Sequence, residues 1–106
     1  RFNLSMQKKM RFGAQYYEIT WDKTSKDPDA LYTLVCYDME GNLHSAIRTV
    51  RGNEAPVARV GTYKVFVDGR YEYFPSEVTE ADRYFRLYLL LPDGRMQSSE
   101  LFYADF

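Results

Sequence analysis

The longest apolar run in the chain, Leu87 to Leu91, stands directly before Pro92-Asp93-Gly94-Arg95. The second stretch reads as a hairpin turn, so the run before it reads as a strand. A strand that is apolar on both faces belongs in the middle of a sheet, with neighbours on either side. The remaining segments can be placed as strands around it. From Phe2 to Phe12 the even positions read Phe2, Leu4, Met6, Lys8, Met10 and Phe12, while the odd positions are polar. Period two predicts a half-buried strand. A basic amphipathic helix built on Phe2, Met6 and Met10 would leave Leu4 and Phe12 off its stripe.

At Gly13 the phase changes, because Tyr17, Ile19 and Trp21 are the next apolar set. A turn or bulge there re-aims the chain into a second strand ending at Trp21. Asp22 to Asp29 is polar and contains Pro28, so it reads as a loop. Leu31 to Asp38 and Leu43 to Val50 flank a hairpin loop at Met39-Glu40-Gly41-Asn42. Val57 to Val67 and Arg70 to Phe74 flank Asp68-Gly69, a strong hairpin signal. Ser76 to Asp82 is expected to make one capped helical turn. Arg83 to Leu91 and Met96 to Tyr103 complete the set. About eight regularly spaced short strands of this kind predict an all-β, antiparallel two-sheet sandwich, immunoglobulin-like, with a small antiparallel β-barrel as the alternative.

A length of 106 residues predicts one domain over residues 1–106, long enough to bury a core without staples. The first residue is Arg rather than Met, which reads as a piece excised from a longer chain. Fourteen basic and fifteen acidic side chains nearly cancel, so no global field favours nucleic acid or an anionic membrane. No apolar run has the length needed for membrane insertion. Cys36 is the single cysteine, which excludes an internal disulfide and a thiolate metal cluster. Its place in an apolar run makes it a buried thiol.

Chemistry is poorly supplied. His44 is the one histidine and lies outside any motif, so neither a triad nor a histidine metal site can be assembled. Walker, dinucleotide-binding and zinc spacings are missing, and no catalytic residue, metal or cofactor is expected. Asp27 with Asp29, and Glu77 with Glu80 and Asp82, are the acid groups that Ca²⁺ would use, but acids are ordinary in loops and at capping turns. Asn3-Leu4-Ser5 fits the glycosylation sequon, which matters only in a secreted chain.

Trp21 late in the second strand, the aromatic third strand, and Val78 six residues before Tyr84 together resemble a fibronectin type III or immunoglobulin-like sandwich. In those families an aliphatic residue and a Tyr at that spacing form the tyrosine corner at the penultimate strand. The resemblance covers about residues 15 to 104. It implies that the third, fourth, penultimate and last strands share a sheet with one face on the core. It also implies an extracellular or surface-exposed setting. Fold does not carry function with it.

On that sheet, Leu34, Cys36, Leu43, Ile47, Leu87, Leu89, Leu101 and Tyr103 are assigned inward. Tyr37, Arg48, Tyr84, Arg86, Tyr88 and Phe102 are assigned outward, as the candidate binding residues. Tyr and Arg are enriched at binding hot spots because they combine contact area with polar handles. Cross-strand aromatics also stabilise a sheet with no partner at all. A second aromatic group, Tyr71, Tyr73 and Phe74, is a lesser candidate. The readings in play are a non-enzymatic interaction or structural module that meets a protein partner or its own copy by this face or an edge strand, a carbohydrate-binding module, and a small barrel holding an apolar ligand.

Overall fold

The period-two alternation becomes extended chain throughout the computed structural model, which describes residues 3–11, 13–38, 40–61, 65–67, 69–72 and 84–104. The strands are β1 (Leu4–Arg11), β2 (Ala14–Trp21), β3 (Leu31–Tyr37), β4 (Leu43–Arg51), β5 (Val57–Gly61), β6 (Val65–Val67), β7 (Arg70–Glu72), β8 (Tyr84–Leu90), β9 (Met96–Ser98) and β10 (Phe102–Tyr103). One sheet has the order β1-β2-β5; the other has the order β10-β8-β3-β4, with β9 also paired to β8. All of these pairings are antiparallel. A separate hairpin joins β6 and β7.

The two sheets are open rather than closed on each other, so the molecule is an all-β sandwich and the barrel alternative is set aside. Ile19, Trp21, Ala58 and Val60 from the first sheet meet Tyr32, Leu34, Cys36, Val50, Phe85, Leu87 and Leu89 from the second in one buried cluster. Leu4 and Met6 pack on its edge, as the even phase of β1 requires. Further along β1 the same phase emerges into solvent, where the Lys8 ammonium lies 5.8 Å from the centre of the Tyr17 ring.

β8 is central in its sheet, as its apolar run demands, and Phe85, Leu87 and Leu89 are fully buried. The turn after it closes where the Pro-Asp-Gly-Arg sequence places it. Gly94 supplies the positive φ of 88°, and Leu91 N–H donates to the Arg95 carbonyl at 2.8 Å. Asp93 accepts from Arg95 N–H at 3.0 Å, which completes the turn. The loop between β2 and β3 is held from inside the core. Buried Tyr32 stacks against Trp21 at 5.6 Å, and its hydroxyl accepts from Ser25 N–H and donates to the Ser25 carbonyl, each at 3.1 Å.

Several sequence expectations need correction. Val57 to Val67 reads as one strand in the sequence; it contains two, and β5 pairs with β2 while β6 pairs with β7. The helical turn at Ser76 to Asp82, and Val78 of the expected tyrosine corner, lie outside the described residues. In β4 the register with β3 shifts twice, so that Ile47 and His44 have no partner opposite them. Each extra residue reverses the face of the residues beyond it. Between Arg48 and Leu43 the two reversals cancel, so it is the phase of β4 as a whole that is opposite to the expected one: Leu43, expected inside, pairs with outward Tyr37 and is 65% exposed. Arg48, expected outside, stands opposite buried Leu34 and two residues from buried Val50, in the core-facing phase at the sheet edge.

The last strand is broken in the same way. Between β9 and β10 the buried Ser99 takes over the edge pairing of β8: its Oγ accepts from Leu87 N–H at 3.0 Å and donates to the Glu100 carbonyl at 2.9 Å, while Ser99 N–H donates to the Leu87 carbonyl at 2.8 Å. The interruption shifts the phase by one residue. Phe102 turns inward and stacks on Phe85 at 5.7 Å, whereas Leu101 and Tyr103, both assigned inward from the sequence, are exposed.

Ser99→Ala leaves the buried Leu87 amide without its acceptor, a loss of about 1 to 3 kcal/mol. Urea unfolding of the variant should show that drop with an unchanged slope. Wild-type stability in the variant would mean that water or the chain replaces the hydroxyl.

Candidate functional site

The outer face of the larger sheet is where the alternation of the sequence places the candidate residues. On β8 the outward positions are Tyr84, Arg86 and Tyr88, each half-buried, and then Leu90. On β3 they are Leu31, Thr33, Val35 and Tyr37, and the register sets Tyr37 opposite Tyr84, Val35 opposite Arg86 and Thr33 opposite Tyr88. Directly opposite residues share a face and touch. Four of the six candidates, Tyr37, Tyr84, Arg86 and Tyr88, thus stand together. Arg48 and Phe102 do not, because the β4 register shifts and the break at Ser99 turn them to the other side.

The face holds more apolar surface than the sequence assigned to it. Leu43, Leu90, Met96 and Leu101 are all well exposed, Met96 at 63%. Thr33, Val35 and Tyr37 form the floor of a shallow groove of about 440 Å³, walled by Leu43 on one side and by Tyr88, Leu90 and Met96 on the other. A second concavity of about 420 Å³ lies across Tyr37, bounded by Asp38, Gly41, Tyr84, Arg86 and Leu101. The signal that could have found Met96 and Leu43 is the register itself, since Met96 pairs with Leu90 and Leu43 with Tyr37.

The polar groups of the face are few and mostly donors. The hydroxyls of Tyr37 and Tyr88 are hydrogen-bonded to each other. The Arg86 Nε is buried and has no hydrogen-bond acceptor among the described residues. Asp38 Oδ1 accepts from the N–H groups of Glu40, at 3.0 Å, and Asn42, at 2.8 Å, and so closes the β3–β4 hairpin. Tyr103 rests on Tyr84 at 5.1 Å with the rings tilted by 45°. Trp21 is 5% exposed and belongs to the core.

Elsewhere, Asp27 Oδ1 accepts from Asp29 N–H at 2.9 Å in a turn of their own loop. No group of three potential metal ligands occurs among the described residues. Glu77, Glu80 and Asp82 lie outside them, as do Tyr73 and Phe74; of Tyr71 only the strand is described. No helix among the described residues is long and apolar enough to cross a membrane. The chain matches no protein-family model, no curated protein and no solved structure.

Partial burial pushes the Tyr37 phenol up from 10.0 to about 12, with the hydrogen bond and charge of Tyr88 acting in the same direction and Arg86 against them. Because folding favours the protonated phenol, this contribution to stability is complete below pH 10 and is lost as pH rises from about 10 to about 12. A near-ultraviolet phenolate titration comparing wild type with Tyr37→Phe should show no Tyr37 ionisation around pH 10, the range of an ordinary tyrosine. A Tyr37 midpoint at that ordinary value would contradict the part-buried hydroxyl pair.

Proposed function

We propose that this chain is a non-enzymatic interaction module that binds a partner protein through the outer face of the larger sheet. The observation that carries the reading is that β3 and β8 present apolar side chains on both faces, while among the described residues the second layer packs against one face. Contiguous exposed apolar surface on a folded domain commonly marks an interaction site. The sheet membership of β3, β4, β8 and β10 supports the likeness to an immunoglobulin or fibronectin type III sandwich, in which the corresponding strands share a sheet. A surface-exposed or extracellular setting is part of the same likeness.

The edges of the larger sheet favour its face over strand addition there. β4 is bulged twice, and Ser99 to Leu101 split the opposite edge into two short pieces, devices that discourage pairing with another strand. Charge favours a foreign partner over a second copy. The outward residues of β3, β8, β9 and β10, among them Thr33, Val35, Arg86, Ser98 and Tyr103, include no Asp or Glu. Two copies packed face to face would set Arg86 near Arg86, with Asp38 at the hairpin the one described carboxylate beside it. The glycan reading draws less support, since Trp21 is in the core and the Tyr84 and Tyr103 rings are tilted rather than coplanar.

The test is selection from a displayed random-peptide library against the wild-type domain. Enriched peptides should bind folded Tyr88→Glu and Leu43→Lys at least about tenfold more weakly, a loss of roughly 1.4 kcal/mol. Binding that neither substitution weakens would sink the reading. Light scattering on wild type should report a monomer; a dimer that Tyr88→Glu dissolves would transfer the face to self-association.

A further inference from the structure

Resting on that reading, we propose that the concavity beside Tyr37 receives a carboxylate of the partner protein. The carboxylate belongs to an Asp or Glu side chain presented next to an apolar side chain that fills the groove over Val35.

Donors and acceptors are out of balance in this concavity. Arg86 Nε–H is buried with no acceptor among the described residues, and no described carboxylate forms an ion pair with its guanidinium. In the Tyr37–Tyr88 pair one hydroxyl donates and the other accepts, which leaves one phenolic proton uncommitted among the described residues. The acid nearest in sequence, Asp38, spends Oδ1 on two backbone N–H groups of its own hairpin. Asp38 Oδ2 is the carboxylate oxygen left at the rim, so the guanidinium and the phenolic proton outnumber the acceptors that line the concavity. An ionised carboxylate has only acceptors, and its two oxygens fit the planar fork of Arg better than a single carbonyl does. Apolar walls strengthen that pairing by excluding water once the partner is seated.

Geometry adds the second half of the motif. Arg86 and Val35 are directly opposite across the β3–β8 ladder, so their side chains rise from the sheet about 5 Å apart. The groove lined by Val35, Leu43 and Met96 adjoins the Arg86 concavity, with Tyr37 common to both. A partner segment that sets its carboxylate on Arg86 must place a neighbouring side chain in that groove. The recognised element is therefore an acidic residue paired with an apolar one, rather than an acidic run.

The peptides enriched on wild type provide the readout. An Asp or Glu should recur at one position beside an apolar residue, and changing that acid to its amide, Glu→Gln, should weaken binding to wild type at least tenfold. Against Arg86→Gln, with its fold checked by circular dichroism, the acid and amide peptides should bind alike. Enriched peptides without a recurring acid, or acid and amide forms of equal affinity on wild type, would overturn the assignment. The interaction face would still stand in that case if Tyr88→Glu abolished binding, whereas peptides indifferent to Tyr88→Glu as well would end both.

Discussion

The pairing of β3 with β8 decides which side chains the sandwich hides and which it shows. Opposite one another, Tyr32 meets Leu89, Leu34 meets Leu87 and Cys36 meets Phe85, and all six are fully buried. One step along, Thr33 meets Tyr88, Val35 meets Arg86 and Tyr37 meets Tyr84, all on the other face. A one-residue slip in one strand would set Arg86 opposite the core set. Burying an unpaired guanidinium in an apolar core is far costlier than leaving it on a face open to solvent. Arg86 thus acts as a register lock whatever else it does.

Around this ladder the sheet edges are built from exceptions to regular pairing. Ser99 substitutes a hydroxyl for a backbone acceptor on one side, and the unpaired Ile47 and His44 bend β4 on the other. These irregularities keep the edges poor templates for further strands. They also aim side chains: the two β4 shifts set Leu43 opposite Tyr37, and the break at Ser99 sends Phe102 into the core and Tyr103 out of it. The outer face owes part of its apolar surface to the same departures that protect the edges.

At these edges the sequence also stops being legible. β8 can be read because its alternation is uninterrupted, β3 follows it through an unbroken register, and the turns can be read because glycine marks them at Gly13, Gly41, Gly69 and Gly94. Four of the six candidate site residues fall on the right face for that reason. Arg48 and Phe102 fall wrong because a bulge leaves no composition signal in a strand that stays apolar and extended across it. Tyr32 escapes notice as an anchor because its hydroxyl acts on the backbone of Ser25, across a polar loop where periodicity carries no information. The single strand expected over Val57 to Val67 fails similarly, since β-propensity runs through residues 57–67 although the pairing partner changes.

An apolar sheet face with no second layer on it among the described residues is a cost to an isolated domain, through unfavourable hydration and a tendency to associate. The chain limits that cost with the means visible on the face. Tyr37 and Tyr88 satisfy each other's hydroxyls, Tyr103 leans on Tyr84, and Arg86 sets a charge among them. Like charge meeting like charge opposes face-to-face pairing of identical copies, and in the proposed interaction the same charge would favour a partner of opposite sign. Under that proposal, discrimination against self and recognition of the partner would rest on the same guanidinium. Replacing Arg86 by an apolar residue would relieve its desolvation yet remove the discrimination against self.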